Sequence, residues 1–348
     1  MSDQDLVVET VRDILVGHEP FALTAERRWD DGLWSALAEA GLTGVGLPEE
    51  IGGSGGELAD AVAVVRTLAA GAAAVPAAEQ LLVAGPALVA AGLPLPDPAQ
   101  PIGVALSGSV TAEPSGAGWQ LRGTAVDVAW AGVLAHVVVL ASGPDGPVLA
   151  VVPGGARAAY SGNLAGEPRG PVLLDRVPVL HAGPVDPDQA AHLQARFALA
   201  RAVQMSAALE QLLDWTVQYA GERRQFGRPI GAFQAVQMEL AVMAGEVTAV
   251  TALTDAAVQA LDRGEDPVPA AAAAKVRAGA AVEVVARRAH QLHGAIGFTQ
   301  EHRLHHLTRR LWSWRDEAGN ESVWAGVLGA GLVADGPGDV WSRLTRVV

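Results

Sequence analysis

The chain has 348 residues, is 50% hydrophobic and 18% charged, and so carries enough apolar material for a large core spread over two or three domains. A formal net charge of −14 and a pI near 5.0 argue against a broad nucleic-acid or anionic-membrane surface, so any anionic ligand must be held locally. The absence of cysteine excludes disulfides, thiolate metal sites and cysteine nucleophiles, and it is compatible with a cytoplasmic location.

The start, MSDQDLVVETVRDILVGHEP, is acidic, with neither a basic n-region nor a long apolar run, and does not read as a signal peptide. Up to about residue 95 the chain is rich in Ala, Leu, Val and Glu, and runs such as Leu33 to Ala40 and Ala59 to Ala70 predict helices. Its most apolar stretch, Leu58 to Leu93, is broken by Arg66, Pro76, Glu79 and Pro86, too often for a bilayer span. The glycine-rich GLPEEIGGSGGE at 46–57 predicts a loop, and its spacing does not fit a phosphate-binding loop.

Residues 96–187 change texture to short apolar runs bounded by Gly, Pro, Ser and Asp, among them VLAHVVVLA, PVLAVVP and PVLLDRVPV, which predict a small β domain. The stretch PVDPDQ at 184–189 suits the start of a helix, and 188–348 is helical again. Phe233, Val236, Leu240, Met243, Val247 and Val250 alternate spacings of three and four and predict one apolar stripe on one helix. The preceding run offers Met205, Leu209, Leu212, Leu213 and Val217, and further helices are expected from Ala270 and Glu301. The expected fold class is α+β, mostly α: a helical domain (1–95), a reduced β domain (96–187) and an antiparallel four-helix bundle (188–348).

There is no GxGxxG after a strand, no GxxxxGK[ST], no HExxH and no GxSxG. His302, His305 and His306 have a spacing that could present imidazoles to a metal, but Arg303, Arg309 and Arg310 crowd the same helix and would repel a divalent cation. The single lysine, Lys275, among many arginines reads as compositional bias.

Two long stretches carry the chemistry: YAGERRQFGRPIGAFQAVQMELAVMAGEV at 219–247 and QLHGAIGFTQEHRLHHLTRRL at 291–311. They resemble the "R-x-x-F-G-x-P-I-x-x-F-Q" and "Q-x-H-G-G-x-G-F-T-x-E" segments of the acyl-CoA dehydrogenase family, with further agreement in WSALAEAGLTGVGLPEEIGGSGG at 34–56 and weakly in LLDRVPV at 173–179. The resemblance spans the chain, and its order of helical, β and helical regions is that family's architecture. It implies an FAD lying extended across a subunit interface, its pyrophosphate and adenosine held by the carboxy-terminal helical domain. Arg223 matches the motif arginine, whose guanidinium offers paired donors to phosphate oxygens. Gln234 and Gln291 match glutamines that hydrogen-bond the dinucleotide without adding charge. Gly294 matches a glycine where backbone approaches the cofactor, with Ala295 in place of its usual glycine neighbour. Phe226 belongs to the same cofactor segment, although packing is the favoured reading for it and for Phe233.

The family pattern fails in two places. TAEPSGAGWQLRG at 111–123 contains a TxEP, yet Trp119 to Gly123 already matches the following "G-W-x-L-x-G" strand, so the TxEP is a decoy for the segment that covers the flavin ring. Trp130 lacks the threonine expected beside it. Moreover, the family removes the α proton of an acyl-CoA with a glutamate while hydride leaves the β carbon for the flavin. The usual position of that glutamate aligns with Ala318, followed by Gly319 and Asn320. The alternative position on the first bundle helix, around Phe197, is apolar, and no acid occurs from Gln189 to Leu209.

The resemblance therefore implies an FAD-binding, non-catalytic subunit paired with a longer paralogue in a heterotetramer, as in actinobacterial steroid side-chain β-oxidation. The acyl-CoA would sit mainly in that partner, and an electron-transfer flavoprotein would take the electrons. Two alternatives stay open: a complete homo-oligomeric flavoenzyme using Glu317 or Asp316 as base, and a helical assembly protein that has lost the cofactor.

Overall fold

The computed structural model describes residues 3–20, 23, 27–116, 118–155 and 161–334; of the three regions read above, residues 1, 2, 21, 22, 24–26, 117, 156–160 and, in the expected bundle, 335–348 lie outside that range. The chain divides into two compact units, one of residues 1–67 and 73–200, the other of 68–72 and 201–348.

In the first unit the amino-terminal helices are α1 (Asp3–Val16), α2 (Asp31–Glu39), α3 (Leu58–Ala70), α4 (Ala77–Glu79) and α5 (Gly85–Ala90), with a π-helical turn, Gln80–Ala84, joining the last two. Asp30 caps α2, its carboxylate accepting from the Leu33 N–H at 3.0 Å, and Leu33, Trp34 and Leu37 form the buried face. The glycine-rich segment at 46–57 folds on itself. The N–H groups of Gly52, Gly53, Ser54 and Gly55 go to the carbonyls of Glu49, Pro48, Gly44 and Leu47, so these four donors are used internally rather than turned toward a phosphate.

Eight strands follow: β1 (Ile102–Ala105), β2 (Gly108–Ser115), β3 (Gly118–Ala129), β4 (His136–Ser142), β5 (Pro147–Pro153), β6 (Ser161–Gly162), β7 (Pro168–Pro178) and β8 (His181–Pro184). They form one sheet in the order β6-β7-β3-β2-β4-β5-β8, with β1 added parallel to β4. Alternating residues such as Val110, Ala112, Leu121, Ala125, Val137, Val139, Val148 and Val152 make its core. Ser115 pairs with Gly118 and Pro114 with Trp119, so the TxEP stretch lies on β2 and the chain turns at once into β3. Among the described residues no strand intervenes between them. Gln80 ties the helices to the sheet: its amide nitrogen donates to the Thr43 and Pro98 carbonyls (2.8 and 2.7 Å), and its oxygen accepts from the Ile102 N–H (2.8 Å).

Helix α6 (Pro187–Glu222) begins at the predicted start, where the Gln189 side chain accepts from the Asp186 N–H at 3.0 Å, half of a capping box, with proline at the first helical position. The division between the two units falls within this helix, after Ala200. In the second unit a short hairpin, β9 (Arg224–Gln225) and β10 (Arg228–Pro229), leads to α7 (Gln234–Asp262), α8 (Pro267–His293), α9 (Leu304–Asp316) and α10 (Glu321–Ala334). Among the described residues the bundle thus has three long helices and two short ones. Of the predicted stripe on α7, Met243, Val247 and Val250 are buried, whereas Phe233, Val236 and Leu240 are only half-buried. By length and composition α7 alone among the described helices could cross a membrane, but its buried residues pack it as a member of the bundle beside α8.

Candidate functional site

The two motif stretches of the second unit meet at the end of α6. The backbone N–H of Arg223 donates to the Tyr219 carbonyl (2.8 Å), and the chain then turns through the β9–β10 hairpin and returns, the Ile230 N–H donating to the Arg223 carbonyl (2.8 Å). The two turn residues, Phe226 and Gly227, have φ of 51° and 81°, the signature of a primed turn, which glycine accepts freely and phenylalanine only with strain of order 1–3 kcal/mol. Phe226 is 92% exposed and is therefore displayed rather than packed into a core. Its ring lies edge-on to Phe233 at 6.1 Å, and the Arg228 guanidinium covers Phe233 from 4.1 Å.

Gln234 is the first residue of α7, where free backbone N–H groups and the helix dipole favour an anion. Gln291 lies on the last turn of α8, and Gly294 ends that helix with φ 65° and ψ −146°, a conformation open essentially to glycine. A Cβ on Gly294 would meet nothing within 4 Å, so its outer face is open. Arg223, Arg224, Arg228, Gln234 and Gln291 are all exposed. Guanidinium groups, neutral amides, a helix N-terminus and a bare glycine backbone suit a phosphate-bearing dinucleotide, and three arginines on one hairpin supply the local positive charge that this acidic chain otherwise lacks.

Below this surface is a stack of imidazoles. His293 is buried beneath the turn Gly294–Phe298, its Nδ1 bonded to the Ala289 carbonyl at 2.8 Å, with the His302 ring 4.9 Å away. His290 reaches the Thr308 hydroxyl (3.1 Å) and stacks on Phe298 (4.7 Å). His305 and His306 lie 4.1 Å apart. Burial is the main cause lowering the pKa of His290, His293, His302 and His306, the last to about 4 with help from His305, Arg310 and Arg309. Among the described residues, no group of three or more His, Asp or Glu side chains could hold a metal ion.

The turn after α9 occupies the position where the resemblance expects the base. Ala318 and Gly319 both have positive φ, 56° and 88°. Glu317, 4% exposed, pairs at 2.8 Å with Arg201, itself 1% exposed and also bonded to Gln204. Glu321 accepts from Arg315 at 2.5 Å, and Asp316 is exposed. Lys275, fully buried, donates to the carbonyls of Arg315 (2.6 Å) and Gly319 (2.8 Å), and burial lowers its pKa to about 8. The Trp324 indole N–H donates to the Ala318 carbonyl at 2.7 Å. Two carbonyls converging in a dry site are matched by a compact ammonium, which gives the single lysine a structural reason that composition did not reveal. In the first unit Trp130 is buried, has φ 60°, and donates its indole N–H to buried Glu79 at 3.1 Å. Near Phe197, Arg196 donates to the Leu82 carbonyl at 2.6 Å. Sequence reasoning missed Tyr219, His293, Arg201 and Lys275; the first two stood within the quoted motifs.

Two outcomes are expected. Glu317→Gln should cost roughly 3–5 kcal/mol by stranding a buried guanidinium, whereas Arg201→Met with Glu317→Leu should recover most of that loss; denaturant midpoints decide between them. Because the half-buried His306 imidazole, kept neutral by its surroundings, binds its proton only well below the free value of about 6.5, the stability it contributes is complete above that pH. It is lost as pH falls toward about 4. His306→Gln should flatten the acid limb of a stability–pH profile in that window and leave stability at pH 8 nearly unchanged.

Residues 1–94 match the acyl-CoA dehydrogenase N-terminal domain and 191–332 its C-terminal domain. The acyl-CoA dehydrogenase IpdE2 of Mycobacterium tuberculosis is 33% identical over 322 residues, covering 88% of this chain and 90% of the relative. A variant of the Tcur3481–Tcur3483 steroid ACAD superposes with a TM-score of 0.83 at 30% identity, covering 96% of this chain and 98% of that one. The ChsE4–ChsE5 complex of M. tuberculosis gives 0.84 at 25% identity, covering 97% and 99%. The chain belongs to the acyl-CoA dehydrogenase family of flavin-dependent oxidoreductases.

Proposed function

We propose that this chain is an FAD-binding subunit of a heteromeric acyl-CoA dehydrogenase and that the carboxylate base belongs to a longer paralogous subunit. The observation that carries the reading is the turn after α9: Ala318 stands where the base is expected, Glu317 is committed to Arg201, and Glu321 to Arg315. A carboxylate paired with a buried guanidinium is poorly suited to accept a substrate proton, since protonating it would leave that cation uncompensated. The first bundle helix supplies no substitute, being free of acids from Gln189 to Leu209.

Members of this family generally bind FAD. Here Arg223 would meet the pyrophosphate, Gln234 and Gln291 would orient the dinucleotide, and Gly294 would let backbone approach it. Bound flavin accepts the hydride that leaves the acyl-CoA β carbon. The hairpin β2–β3 and the inward-turned Trp130 offer this chain's own sheet no segment of the expected kind over a flavin ring, so the reading assigns that task to the partner. The heteromeric names of the two similar structures, ChsE4–ChsE5 and Tcur3481–Tcur3483, support a mixed assembly, and the steroid designation of the latter makes a steroid side-chain acyl-CoA the favoured substrate class. An electron-transfer flavoprotein is the proposed acceptor.

Flavin absorbance tests this directly. The chain purified alone should be colourless and the mixed complex yellow; a stoichiometric yellow homo-oligomer would overturn the proposal. In the complex, Arg223→Ala should weaken flavin binding about ten- to hundredfold, the loss of one charge-assisted contact of about 1.5–3 kcal/mol, while the subunits stay together. Unchanged affinity would remove Arg223 from the site.

A further inference from the structure

Tyr219 touches both halves of the candidate cofactor site. It lies on the last turn of α6, and its carbonyl accepts the N–H of Arg223 at 2.8 Å, the closing bond of the helix immediately before the hairpin. Its hydroxyl donates to the His293 carbonyl at 3.2 Å, at the last residue of α8, and its ring stacks on the His293 imidazole with centroids 4.4 Å apart and planes 22° off parallel. His293 is held in turn from three other sides. Its Nδ1 must carry a proton, because the Ala289 carbonyl 2.8 Å away can only accept. His302 meets it edge-on. Gly297 lies against it so closely that a Cβ there would stand 2.9 Å from the His293 Cβ and 3.2 Å from Leu304.

We propose that Tyr219 is the positioning residue that couples the two halves, fixing the hairpin that carries Arg223 to the turn that carries Gln291 and Gly294. The inference rests on the reading of these segments as one cofactor site, but the coupling itself is a property of this chain alone. The two segments are far apart in sequence, each is exposed on its outer face, and the hairpin contains a strained Phe226. Without a shared anchor each would fluctuate independently, and a ligand spanning both would have to order both on binding. The aromatic contact and the hydrogen bond of the Tyr219 side chain hold the end of α6, from which the hairpin departs, against the end of α8 and so remove that requirement.

Hydrogen exchange on the full-length chain, without added flavin, tests the coupling. The reporters are amides hydrogen-bonded within each segment: Arg223 and Ile230 at the hairpin, Gly294 and Thr299 at the turn. Tyr219→Phe keeps the ring and removes the hydroxyl; it should speed exchange of Gly294 and Thr299 about two- to tenfold, as one net hydrogen bond of about 0.5–1.5 kcal/mol implies. Tyr219→Ala should speed exchange in both segments, and the conservative Phe variant should restore the hairpin reporters toward the wild-type rate. Wild-type exchange at all four amides in Tyr219→Ala, or faster exchange confined to the hairpin, would overturn the coupling. A general rise across α7 and α8 would also overturn it, by making Tyr219 an ordinary packing residue. Flavin affinity of the mixed complex separates the two claims: Tyr219→Phe should weaken it by the same two- to tenfold, while failure of Arg223→Ala to weaken it would sink the cofactor reading and leave the exchange result to decide the coupling.

Discussion

A guanidinium buried inside a helical bundle cannot shed its proton, so a carboxylate has to be brought to it. Arg201 imposes that condition on the second unit, and Glu317 satisfies it. With Glu317 turned inward at the end of α9, the chain leaves the helix through Ala318 and Gly319 in left-handed conformations, and the exposed backbone of that turn is closed by Lys275 and the Trp324 indole. Lys275 also caps the end of α9 through the Arg315 carbonyl, and Arg315 itself pairs with Glu321 at the start of α10. One buried charge thus organises two helix ends and the turn between them. The same ties commit the two glutamates flanking the base position to structure, which is why the chemistry is assigned to another subunit.

The proposed cofactor half-site follows a different logic. The chain's net charge of −14 disfavours anions in general, so a dinucleotide has to be met by concentrated cations. The β9–β10 hairpin places Arg223, Arg224 and Arg228 together on an exposed turn, next to the start of α7. Tyr219, on the last turn of α6 just before that hairpin, bonds the end of α8, where only glycine can take the backbone conformation of residue 294. Burial lowers the pKa of His290, His293, His302 and His306 beneath it, so these four pack at neutral pH without adding mutual repulsion to a site already crowded with arginine.

Much of the fold was legible because its signals are local. Alternating apolar runs marked the strands, PVDPDQ marked the start of α6, and the tight spacing of TAEP to GWQLRG revealed a hairpin with no intervening strands. The spacing placed six residues on one stripe of α7, and of these Met243, Val247 and Val250 are buried; periodicity identifies a face without saying how much of it its own chain covers. The residues proposed for the cofactor, Arg223, Gln234, Gln291 and Gly294, were legible only as motif positions, because their motifs are contiguous. Arg201 with Glu317 and Lys275 with the 315–319 turn were not, because each joins residues far apart in sequence and neither partner has a local pattern. Phe226 shows the converse: its motif was plain, but its positive φ and near-complete exposure emerge only from the turn geometry.

The central claim is that no carboxylate of this chain removes the substrate proton. It is tested most directly by turnover of the assembled, flavin-loaded complex carrying Arg201→Met together with Glu317→Leu, which removes the candidate carboxylate without stranding its buried partner. Turnover per bound flavin is expected to stay within a few-fold of the unaltered complex. A fall of about a hundredfold or more with flavin and subunits retained, the loss typical of an absent general base, would make Glu317 the base and contradict the account.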